Sequence, residues 1–238
     1  MADRLSPERA ILGNIRGHQH GDDDAEVIAA ELSAIGEAPA PNIPQEAFLK
    51  HFLQRLKRNE IEVQTATGRS EAVKRIARFI YAEHNSYRAV AGFDGRLAAM
   101  PWRDGGVLLR FGVATADDPV CISYAHCGVA ETGSLLLYSN RDNPAANTWL
   151  CRHHIVLMEA ATLVGTLEDA WAVVRQHTGA ATPQRGTHLI SGPSGTGDIA
   201  RHMVTGAHGP QRLIVILLGH LDTDLLEDCG YTQPPIPE

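Results

Sequence analysis

The sequence predicts an α/β protein in three layers, with a mostly parallel sheet flanked by helices on both faces. The first observation is the run from Leu213 to Leu218, six apolar residues without a break. Such a run is typical of a central parallel strand that is covered on both sides. The second is that amphipathic helical stretches alternate with short apolar stretches between residues 44 and 220. This alternation predicts helices packed on both faces of one sheet.

The elements are predicted in order from apolar periodicity and from capping residues. Helices are expected at about 7–16, 24–35, 44–59, 70–80, 96–100 and 166–174. Strands are expected at about 61–63, 87–91, 107–110, 120–124, 155–158, 187–190 and 213–218. We therefore divide the chain into an N-terminal helical arm and linker (1–43), an α/β domain (44–221) and a C-terminal tail (222–238). The tail is acidic and rich in proline, so we expect it to be disordered.

Composition limits the class of protein. The 238 residues include 28 acidic and 21 basic side chains, and the net charge of −7 argues against a nucleic-acid partner. No run of 18 apolar residues is present, so we expect no membrane insertion. The four cysteines form no Cys-x-x-Cys pair, which argues against iron–sulfur and zinc-ribbon ligands in this chain. Acidic residues near the N-terminus and unpaired cysteines predict a cytoplasmic protein.

The stretch 187–220 is the first candidate site. It reads as strand, glycine-rich turn, short helix, second glycine turn and buried strand, with Asp198 opening the helix. A helix N-terminus at such a turn attracts anions. The spacing matches neither a dinucleotide fingerprint nor a P-loop, and a tight connection with ordinary capping residues is the alternative. The candidate ligand contacts are Ser191, Gly192, Ser194, Gly195, Thr196, Gly197, Asp198, His208 and Gly209.

The second candidate site is the stretch Glu131-Thr132-Gly133-Ser134, which lies between two apolar segments. A carboxylate in such a place is costly unless it is hydrogen-bonded or exposed in a cleft. Glu131 is therefore either a catalytic nucleophile or general base, or a side chain that satisfies backbone N–H groups at a turn. Thr132, Gly133 and Ser134 are candidate ligand contacts beside it.

Two adjacent histidines, His153 and His154, begin a predicted strand. Their side chains point to opposite faces, so they do not share one metal ion, and no metal site is predicted. His154 is a candidate ligand contact. Cys127 and Cys151 have no recognisable base beside them and are interpreted as buried structural thiols.

These stretches resemble the lactate-utilisation family of LUD-domain proteins, typified by LutC and YkgG. The resemblance covers roughly residues 44–220. It rests on Val129–Leu135, His154-Ile155-Val156, Ser191–Ser194 with Asp198-Ile199, and Gly206–Pro210 before an apolar strand. The sequence departs from the family pattern at Gly195 and Gly197, where Arg and Ala are more frequent, and at Cys151, where Pro is common.

The resemblance implies a fold like that of ribose-5-phosphate isomerase, glucosamine-6-phosphate deaminase and the CoA transferases. Some CoA transferases use a glutamate in a Glu-x-Gly turn as nucleophile, and the Glu131 turn is similar. The resemblance also implies a role in oxidising L-lactate to pyruvate beside an iron–sulfur subunit and a cysteine-rich subunit. Iron–sulfur clusters are then expected only in those partners, with no cofactor in this chain. Self-association into a homo-oligomer is compatible with this arrangement.

Three hypotheses follow for the function. The first is a component of a multi-subunit L-lactate utilisation system that binds a small anionic metabolite at residues 192–198. The second is a stand-alone isomerase, transferase or hydrolase that acts on a phosphorylated or acyl-CoA substrate through Glu131. The third is a non-catalytic scaffold or metabolite sensor. A Glu131 that lies in a cleft close to residues 192–198 favours the first two hypotheses, whereas a Glu131 buried in backbone hydrogen bonds favours the third.

Overall fold

The computed structural model describes residues 11–14, 24–36, 40–177, 184–197 and 203–233. The chain divides into two compact units, Met1–Ala40 and Pro41–Glu238. Among the described residues the helices are α1 (Asp24–Ile35), α2 (Phe48–Arg58), α3 (Arg69–His84), α4 (Gly95–Ala98), α5 (Leu167–His177) and α6 (Thr223–Asp228), with 3-10 turns at Gln45–Ala47, Ala145–Thr148 and Ala160–Thr162. None of these helices has the length and apolar character needed to cross a membrane.

The strands of the second unit are β1 (Glu62–Ala66), β2 (Arg88–Ala91), β3 (Leu108–Phe111), β4 (Val120–Tyr124), β5 (Cys127–Val129), β6 (Ser134–Ser139), β7 (His153–Glu159), β8 (Leu163–Val164), β9 (Gly186–Ile190), β10 (Gly195–Gly197), β11 (Met203–Thr205) and β12 (Arg212–Leu218). A six-stranded sheet has the order β1-β12-β7-β4-β2-β3. All of its pairings are parallel. The predicted α/β fold with a mostly parallel sheet is confirmed.

The first unit contains α1, whose bounds coincide with the predicted helix at 24–35. Its larger apolar side chains are exposed, at Val27, Ile28, Leu32 and Ile35. Residues 11–14 are also helical, within the helix predicted at about 7–16. The remaining residues of that predicted helix lie outside the described part of the chain.

The central strands are buried on both faces because each face meets an apolar layer. On one face, α3 packs through Val73, Ile76 and Ile80 against alternate residues of the sheet. On the other, α2 packs through Phe52, Leu53 and Leu56. The six-residue apolar run of β12 therefore has a hydrophobic neighbour for every side chain, as a doubly covered parallel strand requires.

A second sheet of four strands, in the order β8-β5-β6-β9, was not predicted. The pairs β5–β6 and β6–β9 are antiparallel, and β5–β8 is parallel. This small sheet packs beside α2 on the large sheet, and α5 covers its outer side through Ala170 and Val174. Gly128 in β5 allows the small sheet to lie close to β7 of the large sheet, since a Cβ on Gly128 would lie 2.7 Å from Met158 Sδ.

Two predictions are corrected. The helix expected after Asp198 is not formed at its described end: Met203–Thr205 is strand β11, antiparallel to β10. Three apolar residues between glycine turns are too few to define a helical face, and Val204 and Thr205 are β-branched. Asp198 itself lies outside the described residues. Residues 222–233 are not a disordered tail, because α6 forms there and Tyr231 is 7% exposed.

Candidate functional site

The Glu131 turn connects β5 to β6 in the small sheet. The Glu131 carboxylate accepts a hydrogen bond from the backbone N–H of Leu167, the first residue of α5, at 3.1 Å. The N–H of Glu131 donates in turn to the carbonyl of Gly165 at 2.9 Å. A carboxylate at a helix N-terminus satisfies a free N–H group and interacts favourably with the helix dipole. This geometry supports the structural interpretation of Glu131.

The predicted stretches around Glu131 and Ser191 do meet. Thr132 Oγ1 lies 2.7 Å from Ser134 Oγ, which lies 2.6 Å from Ser191 Oγ. Asn59, at the end of α2, donates from Nδ2 to the carbonyl of Thr132 at 2.9 Å. The three hydroxyl groups thus form one hydrogen-bonded chain that joins the β5–β6 turn to the end of β9.

The glycines of both stretches are placed against α2 and not against an open cleft. Gly133 has φ +72°, and a Cβ there would lie 2.7 Å from Arg55 Cβ. Gly192 has φ +147°, and a Cβ there would lie 2.9 Å from the carbonyl oxygen of Asn59. Both positions require glycine for the backbone conformation and for close packing on the helix.

The turn after β9 has backbone partners of its own. The N–H of Ser194 donates to the carbonyl of Pro210, and its carbonyl accepts from Gly206, each at 2.8 Å. Gly195, Thr196 and Gly197 form β10. The helix N-terminus on which the predicted anion site depends falls at Asp198, which lies outside the described residues. Ligand contact at residues 192–198 stays a prediction.

His208 and Gly209 lie on a different surface from Glu131. They line an open groove of ≈ 930 Å³ with Trp149 and Arg152. The groove lies near the amino ends of β7 and β12, since Arg152 precedes β7 and Gln211 precedes β12. Gly209 packs against Ser194, since a Cβ on Gly209 would lie 2.9 Å from Ser194 Cβ. Of the candidates in this turn, His208 is the exposed side chain with a titratable group.

His153 and His154 point to opposite faces of the large sheet, as predicted. His153 Nδ1 lies 3.0 Å from His84 Nε2 on α3. His154 is fully buried, and its Nε2 lies 2.8 Å from Ser123 Oγ. Burial lowers the pKa of His154 to about 4, so its imidazole is neutral at pH 7.

The carboxyl ends of β2, β4 and β7 carry a polar cluster that the sequence reasoning missed. Arg96 donates to both carboxylate oxygens of Asp94, at 3.1 and 2.7 Å. It also donates to the carbonyls of Tyr124 and Ala125, each at 3.1 Å. The Tyr124 hydroxyl donates to Glu159 Oε1 at 2.5 Å. Ligands of parallel α/β sheets bind at this edge, and polar residues that directly follow predicted strands were the available signal.

Beside this cluster lies a small chamber, which we call the polar chamber. Its walls come from β4, β6, β9 and the loop 140–148, and its volume is ≈ 20 Å³, enough for one water molecule. The polar side chains that line it include Ser123, His126, Tyr138, Ser139, Asn147 and His188.

The two histidines that line the polar chamber are neutral at pH 7. Burial, and then the charge of Arg96, lowers the pKa of His126 to about 4. Burial also lowers the pKa of His188. His188 Nε2 lies 2.9 Å from Ser139 Oγ. The Tyr138 hydroxyl is buried and has no hydrogen-bond partner among the described residues.

Comparison with known proteins finds a family model that matches part of the chain. Residues 113–218 match the family model of the LUD domain. This range contains the Glu131 turn, His154 and most of the polar chamber. This part of the chain is therefore similar to the LUD domain, and the resemblance found in its motifs is confirmed.

Particular relatives carry a functional name. The chain is 31% identical over 99 residues to lactate utilization protein C of Shouchella clausii, covering 42% of this chain and 43% of the relative. It is 29% identical over 101 residues to lactate utilization protein C of Bacillus subtilis, covering 42% of each. An uncharacterized protein of Neisseria meningitidis is 32% identical over 108 residues, with 44% and 46% covered. The chain thus matches less than half the length of these relatives.

A solved structure supports the fold. The crystal structure of a DUF162 family protein from Deinococcus radiodurans aligns with a TM-score of 0.54 and 21% identity. The alignment covers 75% of this chain and 100% of that chain. At this identity the likeness concerns the fold alone.

Proposed function

We propose that this chain is a component of a multi-subunit L-lactate utilisation system, which oxidises L-lactate to pyruvate. The observation that carries the proposal is the similarity of its LUD domain to lactate utilization protein C of several bacteria. The order of the family motifs along residues 129–210 supports the same assignment.

In this proposal the redox centres belong to partner subunits. The four cysteines of the chain form no Cys-x-x-Cys pair. Cys121, Cys127 and Cys151 are buried free thiols, and burial raises the pKa of Cys127 to about 11. Electrons from lactate would therefore pass through iron–sulfur and cysteine-rich partners while this chain holds a small metabolite. We place that metabolite at the carboxyl edge of the sheet, where ligands of parallel α/β sheets bind.

The geometry of Glu131 bears on the alternative functions. A stand-alone isomerase, transferase or hydrolase would use Glu131 as base or nucleophile. The hydrogen bond from Leu167 N–H to its carboxylate, at 3.1 Å, supports a structural role. This observation favours a metabolite-binding subunit without its own covalent chemistry over the stand-alone enzyme.

The proposal is tested by deleting the gene in a strain of the source organism that has no other L-lactate dehydrogenase. Growth on L-lactate as sole carbon source should be lost and should return with a plasmid copy. Growth on pyruvate should be unchanged, because pyruvate enters metabolism after the step in question. Unimpaired growth of the deletion strain on L-lactate would refute the proposal.

The same rescue assay tests the role of Glu131. Glu131→Gln keeps an oxygen that accepts the Leu167 N–H, so the plasmid copy should still rescue growth on L-lactate. Glu131→Ala removes the acceptor and should lower the free energy of unfolding by about 1 kcal/mol, as for other lost helix caps. A folded Glu131→Gln protein that fails to rescue would show that the carboxylate takes part in chemistry.

A further inference from the structure

Two cysteines that are distant in sequence, Cys121 in β4 and Cys151 before β7, lie together in the buried core of the second unit. They share one apolar cluster with Val90 and Ala114, and their side chains are within hydrogen-bonding reach of each other. We propose that this thiol pair is a redox site, at which a peroxide converts the two thiols into one intramolecular disulfide. The site is independent of the proposed function.

The pairing of strands in the large sheet brings the two cysteines together. Cys121 is the register partner of His154 in the parallel pair of β4 and β7. The N–H of His153 donates to the carbonyl of Pro119 at 3.0 Å, which anchors the start of β7 beside β4. Cys151 lies two residues before His153, in the bend that leads into β7. The sheet therefore holds both thiols at one place in the reduced protein, as a disulfide requires.

An oxidant reaches the thiol pair from the side of Cys151. This residue is among those that line the open groove of ≈ 930 Å³ beside Arg152 and His208. Cys121 does not line the groove and is fully buried. Hydrogen peroxide is small and uncharged, so it can enter the groove and meet Cys151 first. Cys151 is therefore the thiol that is attacked, and Cys121 is the thiol that completes the disulfide.

The oxidation consists of two balanced steps. The Cys151 sulfur attacks one oxygen of hydrogen peroxide, which breaks the O–O bond and gives a sulfenic acid and one water molecule. The Cys121 sulfur then attacks the sulfenic sulfur, the S–O bond breaks, and the hydroxyl leaves as water with the proton of the Cys121 thiol. Together the two thiols lose two electrons and two protons, and the peroxide is reduced to two water molecules. A small dithiol reverses the reaction by thiol–disulfide exchange.

The surroundings of Cys121 slow the reaction but suit its product. Burial raises the pKa of the Cys121 thiol well above its usual value, and the neighbouring Cys151 raises it further. The Ser123 hydroxyl lowers this pKa by donating to the sulfur. Because the thiolate is the reactive form, the pair should oxidise more slowly than the partly exposed Cys229. A disulfide carries no charge, so burial in an apolar cluster does not disfavour it.

Peptide mass spectrometry of the full chain, after treatment of the reduced protein with hydrogen peroxide, tests the proposal. Trypsin releases residues 111–141, which contain Cys121 and Cys127, and residues 142–152, which contain Cys151. The oxidised protein should give one cross-linked pair of these peptides, lighter by two hydrogen atoms than their sum. Dithiothreitol should separate them again. Oxidation of Cys229 in the same sample shows that the peroxide has acted.

Variants assign the bond, because the larger peptide contains two cysteines. Cys127 is the matched control: it is 1% exposed, as Cys151 is, but it belongs to a different apolar cluster. Cys127→Ser should give the cross-link at the wild-type yield, whereas Cys121→Ala and Cys151→Ala should each abolish it. Oxidation should raise the thermal midpoint of the wild-type protein, since a cross-link restricts the unfolded chain. It should leave the midpoints of the two alanine variants unraised.

Three results would overturn the proposal. The first is a cross-link that Cys127→Ser abolishes. The second is a cross-link between two chains, seen as a dimer on a non-reducing gel. The third is wild-type protein that contains oxidised Cys229 and no cross-link between the two peptides. The second and third results need only the wild-type protein, so they remain decisive if a variant does not fold.

Discussion

Single glycines decide how closely the motif turns approach α2. At Gly133 the left-handed backbone and the neighbouring Arg55 backbone, 3.0 Å from a hypothetical Cβ, both exclude a side chain. Gly133→Ala should therefore lower the free energy of unfolding by about 2–4 kcal/mol, from backbone strain and from forced displacement of α2. Urea unfolding of the purified protein measures this change.

Gly95→Ala is the matched control for Gly133→Ala. Gly95 begins α4 and has nothing within 4 Å of a hypothetical Cβ. Alanine has the higher helix propensity, so this variant should be neutral or slightly stabilising. Equal stability of the two variants would contradict the packing role of Gly133.

Glu131 shows what a motif can and cannot establish at the scale of one residue. The sequence marks it because a carboxylate between apolar segments needs a partner. It cannot identify that partner, because the N–H group of Leu167 is 36 positions away and reaches Glu131 only through the pairing of β5 with β8. Tyr138 has the opposite problem: its sequence context indicates an ordinary core aromatic, and only the structure shows that its hydroxyl has no hydrogen-bond partner within the described part of the chain.

At the scale of elements, apolar periodicity was sufficient where an element carries its own pattern. Val120–Tyr124 was predicted with its observed bounds, and Asp24–Ile35 likewise. Short elements whose burial depends on distant partners were not predictable. Strand β5 has three residues and is buried because Met158 and Phe52 meet its glycine. Nothing local in the sequence indicates those contacts.

The C-terminal segment is the clearest case in which tertiary contacts override composition. Tyr231 is held by its hydroxyl, which donates to the carbonyls of Leu53 and Ile61 at 3.3 and 3.2 Å. Lys57 Nζ lies 5.0 Å from the centre of its ring. We expect Tyr231→Ala to lower the free energy of unfolding by about 3–5 kcal/mol, the usual cost of removing a buried aromatic side chain.

Thr232→Ala is the control for Tyr231→Ala, because Thr232 is the exposed neighbour in the same segment. Its free energy of unfolding should stay within about 0.5 kcal/mol of the wild-type value, as for most surface substitutions. A Tyr231→Ala protein as stable as Thr232→Ala would mean that the segment is only loosely attached in solution.

At the scale of the whole molecule, parallel topology separates two surfaces that the sequence analysis combined. Arg96 and His126 lie at the carboxyl edge of the large sheet, whereas His208 lies at the groove near its amino edge. Sequence motifs show where residues lie along the chain, but they do not show whether those residues lie at the carboxyl edge or the amino edge of the sheet. The strand order supplies that information, since β2 and β4 are neighbours in the sheet and their following loops converge.

Buried neutral histidines give the whole molecule a distinctive pH dependence. The pKa of His154 is about 4 in the folded protein because of burial, against about 6.5 in an unfolded chain. Between these values the unfolded state binds a proton that the folded state does not, so stability falls as the pH is lowered. From pH 7 to pH 5 this histidine alone should remove about 2 kcal/mol. His126 and His153, with pKa lowered to about 4 mainly by burial, act in the same direction.

Urea unfolding at several pH values between 7 and 5 measures this linkage, and His154→Leu assigns it. The reference pKa of histidine, about 6.5, lies inside this range, whereas the reference values of Asp and Glu, about 4, lie below it. His154→Leu should flatten the fall in stability by about 2 kcal/mol, whatever its effect on absolute stability at pH 7. An unchanged slope would mean that the imidazole of His154 already takes up its proton in the folded state. The buried pair of Ser123 and His154 would then carry a positive charge and would not be neutral.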